Sequence, residues 1–204
     1  MLNFLLAVDQ LDRSLLKNVN SLVGISSALD LVLRVIAEWF IYLTPLLLLG
    51  AWFWLRFSAR SQNWLTDRIR LVEFTAAGLL AWQILSRIIK AFYFRERPIS
   101  AGNGVKEVFF HRPDESFPSD HAAFLFALTA YAYLLGWRRV GHALLLVSLL
   151  ISSARIITGT HWFSDILAGT LLGIASAFLL WKFRVQFRHY FAAPVTRLIN
   201  NLGL

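Results

Sequence analysis

Three polar residues at the end of an apolar run stand at a spacing that could handle a phosphate. Arg155 is followed six residues later by His161, and His161 four residues later by Asp165. Residues four apart share a helix face, so the Asp165 carboxylate can hold the His161 imidazole in one tautomer. An arginine beside such a histidine suits attack on phosphorus, because the guanidinium binds phosphate oxygens while a ring nitrogen approaches. Further groups of this kind lie upstream. Lys90 and Arg97 add two cations. Pro118-Ser119 reads as a helix start: Ser119 is a good cap, and the first-turn N–H groups, including that of Asp120, can bind phosphate oxygens. Two histidines can then divide phosphoryl transfer. His161, held by Asp165, is the better nucleophile, and His121, near a loop, the better acid for the leaving oxygen. A metal site is the competing reading. Three nearby cations would repel a divalent ion and few carboxylates are offered, so no metal and no cofactor is expected.

These residues need elements to bring them together. The chain has 204 residues, of which 57% are hydrophobic and 16% charged. A soluble domain carries about 25% charged residues, so the composition points to a single all-α integral membrane helical bundle. There are no cysteines, which excludes disulfides, thiolate metal sites and a cysteine nucleophile. The formal charge of +8 fits basic cytoplasmic loops better than nucleic-acid binding. Asp9 and Asp12 interrupt the first apolar stretch, and no basic segment precedes it, so no cleavable signal peptide is expected.

Phe4, Leu5, Val8, Leu11, Leu15 and Leu16 fall on one helical face, with Asp9, Asp12, Arg13 and Lys17 off it. This predicts an amphipathic helix in the membrane interface. The segment Leu22–Val35, broken by Gly24, Asp30 and Arg34, is not expected to span, so residues 1–34 are read as interfacial. Five stretches reach the roughly 17–25 residues that a ~30 Å hydrocarbon layer requires. They are about Val35–Leu55, Leu71–Phe94, Ser119–Gly136, Val140–Ile157 and Phe163–Trp181, inside a catalytic core of residues 35–181. Backbone groups in lipid must bond internally, so the spans are helices. Pro45 should kink the first, and Gly169, Gly173 and Ala177 give the fifth a small-residue face for close helix contact.

Arg56, Arg60, Arg68, Arg70, Arg138, Arg139 and the basic tail, residues 182–204, fall on one side of this topology, which is then cytoplasmic. The long connection at about Arg95–Pro118, with Gly102, Gly104, Pro98 and Pro113, falls on the other side with Lys90, Arg97, Ser119, His121, Arg155, His161 and Asp165. Arg87, one turn before Lys90, is a candidate outer phosphate ligand. Glu73, His142, His111, His189, Asp114 and Glu115 read as solvated or interfacial. The tryptophans, including Trp39, Trp52, Trp54, Trp137, Trp162 and Trp181, mostly sit near span ends, as in an aromatic belt.

Lys90-x6-Arg97-Pro98, Pro118-Ser119-Asp120-His121 and Arg155-x5-His161-x3-Asp165 together resemble the three-part signature of the type 2 phosphatidic acid phosphatase superfamily. The resemblance implies a metal-independent phosphatase working through a phosphohistidine. His161 would be the nucleophile, Asp165 its partner and His121 the general acid, with Lys90, Arg97, Ser119 and Arg155 on phosphate. Two positions depart from the usual pattern: Asp120 stands where glycine is common, and Ala154 where serine is. Asp120 is expected to cap its helix rather than face substrate phosphate, since a carboxylate is favourable at a helix N-terminus. Phe-Pro-Ser-Asp-His in a chain of this length is similar to the bacitracin-resistance type of undecaprenyl-diphosphate phosphatase. That similarity implies a polyprenyl diphosphate lipid as substrate, a bacterial cytoplasmic membrane, and a site facing outward. Other lipid phosphates (phosphatidate, phosphatidylglycerol phosphate, lipid A), transfer to another lipid, and a non-catalytic lipid-binding or translocating protein are the alternatives.

Overall fold

The computed structural model describes residues 2–57, 63–101, 104–110 and 114–203. Arg60, Gly102, His111 and Pro113, named above, lie outside the described residues. Among the described residues the main elements are helices: α1 (Leu2–Asn20), α2 (Ser27–Leu55), α3 (Trp64–Phe92), α4 (Asp120–Leu134), α5 (Arg138–Ile157), α6 (Phe163–Lys182) and α7 (Ala193–Asn201).

Among the described residues, four helices are long and apolar enough to cross a membrane, α2, α3, α5 and α6, and not the five expected. The stretch read as a third span is α4. Its apolar run includes the cap at Ser119 and the turn at Leu135–Gly136, which leaves 15 helical residues. At ~1.5 Å per residue that is about 22 Å, short of the ~30 Å hydrocarbon layer. It is instead the bundle's central post, with ten of its side chains buried and α3, α5 and α6 packed around it. Its ends still join the two ends of the bundle. Ser119 N–H donates to the Asp165 carbonyl at one end, and Tyr131 meets Trp181 edge-on at the other.

The first span starts earlier than expected. Ser26 caps α2 by accepting from the Leu29 N–H, so residues 27–34 are its first turns. The two charges that break the apolar run there are accommodated locally: Asp30 accepts from the Gly24 N–H, and Arg34 pairs with Glu38 at 3.2 Å. α2 then widens into a π-turn at Val35–Trp39 and tightens into a 3-10 turn at Phe40–Tyr42. The tight turn lies just before Pro45, whose ring displaces the carbonyl four residues back. A second π-turn, Leu80–Ser86, interrupts α3.

α4 and α6 approach closely because Gly169 and Gly173 permit it. A Cβ at Gly169 would come within 2.5 Å of the Ser119 carbonyl oxygen, and one at Gly173 within 2.4 Å of that of Ala123. The small-residue face predicted for the last span is thus the seat of the central post. α1 packs on α5 and α6, and its inward face is Asp12, Leu16 and Asn20. Asp12 was expected on the polar, outward side, yet it is 1% exposed. Trp39 and Trp54 are exposed as a belt would be, whereas Trp52 and Trp162 are buried.

Candidate active site

The residues singled out by spacing gather at one end of the bundle. His161 sits in the short connection between α5 and α6, almost fully buried. Two guanidinium groups converge on its Nε2: Arg97 Nη1 at 3.3 Å and Arg155 Nη2 at 3.2 Å. Both are donors only, so Nε2 carries the lone pair and Nδ1 carries the proton. Nδ1 faces Asp165 Oδ2 at 3.7 Å, an ion-pair distance but too long for a hydrogen bond. Burial, then the charges of Arg155 and Arg97, hold the His161 pKa well below its ordinary value. The ring is therefore neutral near pH 7, as a nucleophile must be.

Each cation is placed by its neighbours. Arg97 donates from Nε to Asp114 at 2.6 Å, from Nη1 to the Thr160 carbonyl at 2.7 Å, and from Nη2 to the Glu115 carbonyl at 3.2 Å. Asp114, read from sequence as solvated, is thus the partner of a site arginine. Arg155 donates from Nη1 to the Ala37 carbonyl at 2.8 Å, and the same nitrogen lies 3.5 Å from His121 Nε2. Ala37 is inside the π-turn of α2, where the wide turn offers a carbonyl to a side chain. Arg155 therefore stands between the two imidazoles and is anchored from a third helix.

Lys90 and Asp120 differ from expectation. Asp120 does not cap α4. Its Oδ2 takes Lys90 Nζ at 2.7 Å, and its Oδ1 takes the hydroxyl of Ser86, the last residue of the π-turn in α3. Ser119 occupies the N-cap position but its side chain makes no cap bond, and its buried Oγ has no hydrogen-bond partner. The interior is crowded enough for the nearby carboxylate to find a cation before it finds its own helix end.

A cavity of about 480 Å3 connects this end of the bundle with the space between α2 and α3. Its polar end is lined by Arg87, Arg97, Asp114, Asp120, His121, Arg155 and His161. Ile41, Tyr42, Thr44, Pro45, Leu48, Thr75, Leu79, Trp82 and Phe124 line the rest. Lys90, Ser119 and Asp165 stand behind the wall, while Arg87 is on it. A second cavity of about 470 Å3 lies by Arg13, Lys17, Lys106 and Trp162, and among the described residues no histidine or carboxylate lines it. Among the described residues, no three His, Cys, Asp or Glu side chains are grouped to hold a metal ion.

Spacing did not reveal Arg95. Its Nη1 donates to Asp165 Oδ1 at 2.7 Å and to Ser164 Oγ at 2.6 Å, and its Nη2 donates to Asp12 Oδ2 at 2.8 Å. Burial works against the Arg95 charge, but Asp165 and Asp12 more than offset it and raise its pKa above the ordinary value. The only sequence signal was an arginine two residues before Arg97.

The chain has relatives in both sequence and fold. A family model described as the PAP2 superfamily matches residues 71–189. The undecaprenyl-diphosphatase BcrC of Bacillus subtilis (strain 168) is 29% identical over 167 residues, 82% of this chain and 81% of that one. The bacitracin transport permease protein BcrC of Bacillus licheniformis is 28% identical over 164 residues, 80% of this chain and 76% of that one. Among solved structures, a transmembrane PAP2-type phosphatidylglycerolphosphate phosphatase from Bacillus subtilis shares the fold, with a TM-score of 0.64 and 21% identity over 90% of this chain and 89% of that one.

Proposed function

This chain belongs to the PAP2 superfamily, and we propose that it removes the terminal phosphate of a polyprenyl diphosphate, undecaprenyl diphosphate above all. The observation that carries the reading is the convergence of Arg97 and Arg155 on the neutral Nε2 of His161, at the polar end of a cavity whose other walls are apolar. Two cations aimed at one neutral acceptor suit the arrival of an anion, and the apolar walls suit the first isoprene units of a tail that continues into lipid.

The chemistry follows from the tautomer. The terminal phosphate displaces the contacts of Arg97 and Arg155 with Nε2 and takes their N–H groups onto its own oxygens. Nε2 attacks phosphorus, and the bond from phosphorus to the bridging oxygen breaks. Once Arg155 has turned from His121 to the phosphate, His121 in its protonated form gives its proton to that oxygen, and the lipid monophosphate leaves. Neutral His121 then takes a proton from water as the water attacks the phosphohistidine. The N–P bond breaks, inorganic phosphate departs, and both histidines return to their starting states. As Nε2 bonds to phosphorus, Nδ1–H becomes more acidic, and Asp165 closes on it. The Asp165 carboxylate, the Arg97 fork and the Arg155 fork thus act at different atoms of one ring and its substrate. Arg87, on the wall, is placed for the second phosphate of a diphosphate. Lys90, paired with Asp120, adds charge from behind.

The relative named as a transport permease and the solved phosphatidylglycerolphosphate phosphatase define the rival readings. One assay separates them: phosphate release by the purified protein in detergent with EDTA. Undecaprenyl diphosphate, farnesyl diphosphate, phosphatidate and phosphatidylglycerol phosphate are offered in parallel. The expected result is release from the two diphosphates at well above the rate from the other lipids. No release from any substrate would favour transport, preference for a monophosphate would move the substrate, and inhibition by EDTA would remove the metal-free mechanism.

The same reading places the site at the outer face of a bacterial cytoplasmic membrane, because Arg68, Arg70, Arg138, Arg139, Lys182, Arg184 and Arg197 gather at the opposite end. The chain has no cysteine, so a cysteine replacing exposed Glu107 reports sidedness cleanly. It should react with an impermeant thiol reagent in intact cells, and protection there would reverse the orientation.

A further inference from the structure

We infer that Asp12 and Arg95 are positioning residues for the phosphatase site: Asp12, on a helix outside the matched family region, holds Arg95, which holds Asp165 under His161. The inference rests on the function proposed above, and concerns what fixes the carboxylate that orients the nucleophile.

His161 does not fix it, because Nδ1 is 3.7 Å away and unbonded. The Ser116 hydroxyl bonds to the carboxylate, and two N–H groups hold its two oxygens. Trp162 N–H donates to Asp165 Oδ2 at 2.9 Å, and Arg95 Nη1 donates to Oδ1 at 2.7 Å. The backbone donor belongs to the same turn and moves with it. Arg95 and Ser116 reach the carboxylate from outside that turn, and Arg95 brings the charge, so the placement of Arg95 governs where Asp165 points. That placement comes from α1. Asp12 Oδ2 accepts from Arg95 Nη2, and Oδ1 accepts from the Ser164 N–H in the first turn of α6, at 2.9 Å. The Ser164 hydroxyl also donates to Asp12 Oδ2. The Arg95 guanidinium lies over the Trp162 ring, 5.2 Å from its centroid. The side chains of Asp12 and Asp165 are 1% and 0% exposed, and that of Arg95 is 19% exposed. Two buried carboxylates thus share one guanidinium. The trio lies directly beneath an imidazole that gives up an electron pair to phosphorus. Replacing Asp12 loosens Arg95, and loosening Arg95 lets Asp165 drift from Nδ1 without touching any group that meets substrate.

A merely structural role would also follow from these bonds, so the test uses coupling to Asp165. Turnover of farnesyl diphosphate is measured for Asp12→Asn and Arg95→Met, each alone and each combined with Asp165→Asn. Partners that orient a metal-bound histidine contribute about 10- to 100-fold, and a similar size is taken for a partner that orients this one. The expectation is a fall of that size in kcat for each single variant, with KM within about twofold, and almost no further fall in the Asp165→Asn background. Equal fold losses in both backgrounds, or single variants with wild-type kcat, overturn the inference. Asp12→Asn keeps the shape of the side chain and an acceptor for Ser164 N–H, so it serves if Arg95→Met does not fold. Histidine 15N shifts give a readout independent of turnover. Wild-type His161 should show the Nδ1–H tautomer that Arg97 and Arg155 impose; Asp12→Asn should keep that tautomer but shift the Nδ1 resonance as Asp165 moves, and an unchanged Nδ1 resonance would also overturn the inference. Absence of turnover by the wild-type protein is a different result, and counts against the phosphatase reading itself.

Discussion

The two ends of the bundle both bury charge, and they do so in opposite ways. At the tail end, Glu73 is fully buried and takes both arms of Arg188, at 2.6 and 3.0 Å. Arg68, equally buried, donates to the Trp52 carbonyl and to Asn200 and lies over the Trp52 ring at 4.3 Å. These contacts tie the tail and α7 to α3 and α2. They cross between elements and end there. At the site end, Arg97 and Arg155 share one neutral acceptor on a cavity wall, and Asp120, Asp114, Asp165 and Asp12 sit around them. The tail-end charges meet protein groups alone, whereas Arg97, though paired with Asp114, and Arg155 also face a cavity. Burial alone does not tell the two apart, since Arg68 at 0% exposure is more buried than Arg97 at 4%.

The contrast can be broken most sharply at His161. His161→Ala should reduce turnover by about 10^4- to 10^6-fold, as loss of a nucleophile does, while the melting temperature in detergent stays near that of the wild type. A variant retaining near-normal kcat would remove the nucleophile assignment. Next comes Arg97→Lys, which keeps the charge and loses the fork. A drop in kcat of about 10^2- to 10^3-fold is expected, and an unchanged rate would show that charge alone suffices.

Gly169→Ala probes how the fold carries the site. The added Cβ meets the Ser119 carbonyl, so α4 must shift where it bears His121. Overpacking of this kind destabilises by about 1–3 kcal/mol, and a displaced acid should lower kcat by roughly tenfold or more. Thermal unfolding and turnover should fall together; a stable and fully active variant would show that the α4–α6 contact is not what places His121.

The tail end supplies the opposite pattern. Arg188→Ala leaves Glu73 buried without its partner and should lower stability by roughly 1–3 kcal/mol, toward the low end because the Arg188 side chain is 41% exposed. Turnover per folded molecule should not change. A selective loss of kcat would mean that this pair does more than hold the tail.

The smallest effect expected is one of pH. His161 must be neutral to attack, and its pKa lies well below 6.5 in the free protein. Lowering pH from 7.5 through 6.5 therefore should not protonate it, and kcat/KM should show no acid limb from this residue in that window. An acid limb near 6.5 that disappears with a change at Asp165 or Arg155 would contradict the assigned environment.

Much of the site was legible because it is written in local spacing. Arg155, His161 and Asp165 lie within eleven residues, and the end of each helix that bears them follows from counting apolar runs. Gly169 and Gly173 declared a close helix contact by their size, though not that α4 would fill it. What was not legible depends on distant partners. Asp12 reads as solvent-facing until Arg95, 83 residues on, and Ser164, 152 residues on, are beside it. Asp120 reads as a cap until Lys90 and Ser86 arrive from α3. The π-turns have no signature in composition, yet one presents the Ala37 carbonyl to Arg155 and the other ends at Ser86. α4 was read as a span because hydrophobicity does not say whether a helix faces lipid or other helices.

The central claim is that His161 Nε2 takes the terminal phosphate without a metal. Rapid quench with farnesyl diphosphate labelled at the terminal phosphate, in EDTA, tests it most directly. The account predicts protein-bound label that is stable to alkali, labile to acid, formed within the first turnover and absent from His161→Ala. Turnover by the wild type with no labelled protein at any time, or equal labelling of His161→Ala, would contradict it.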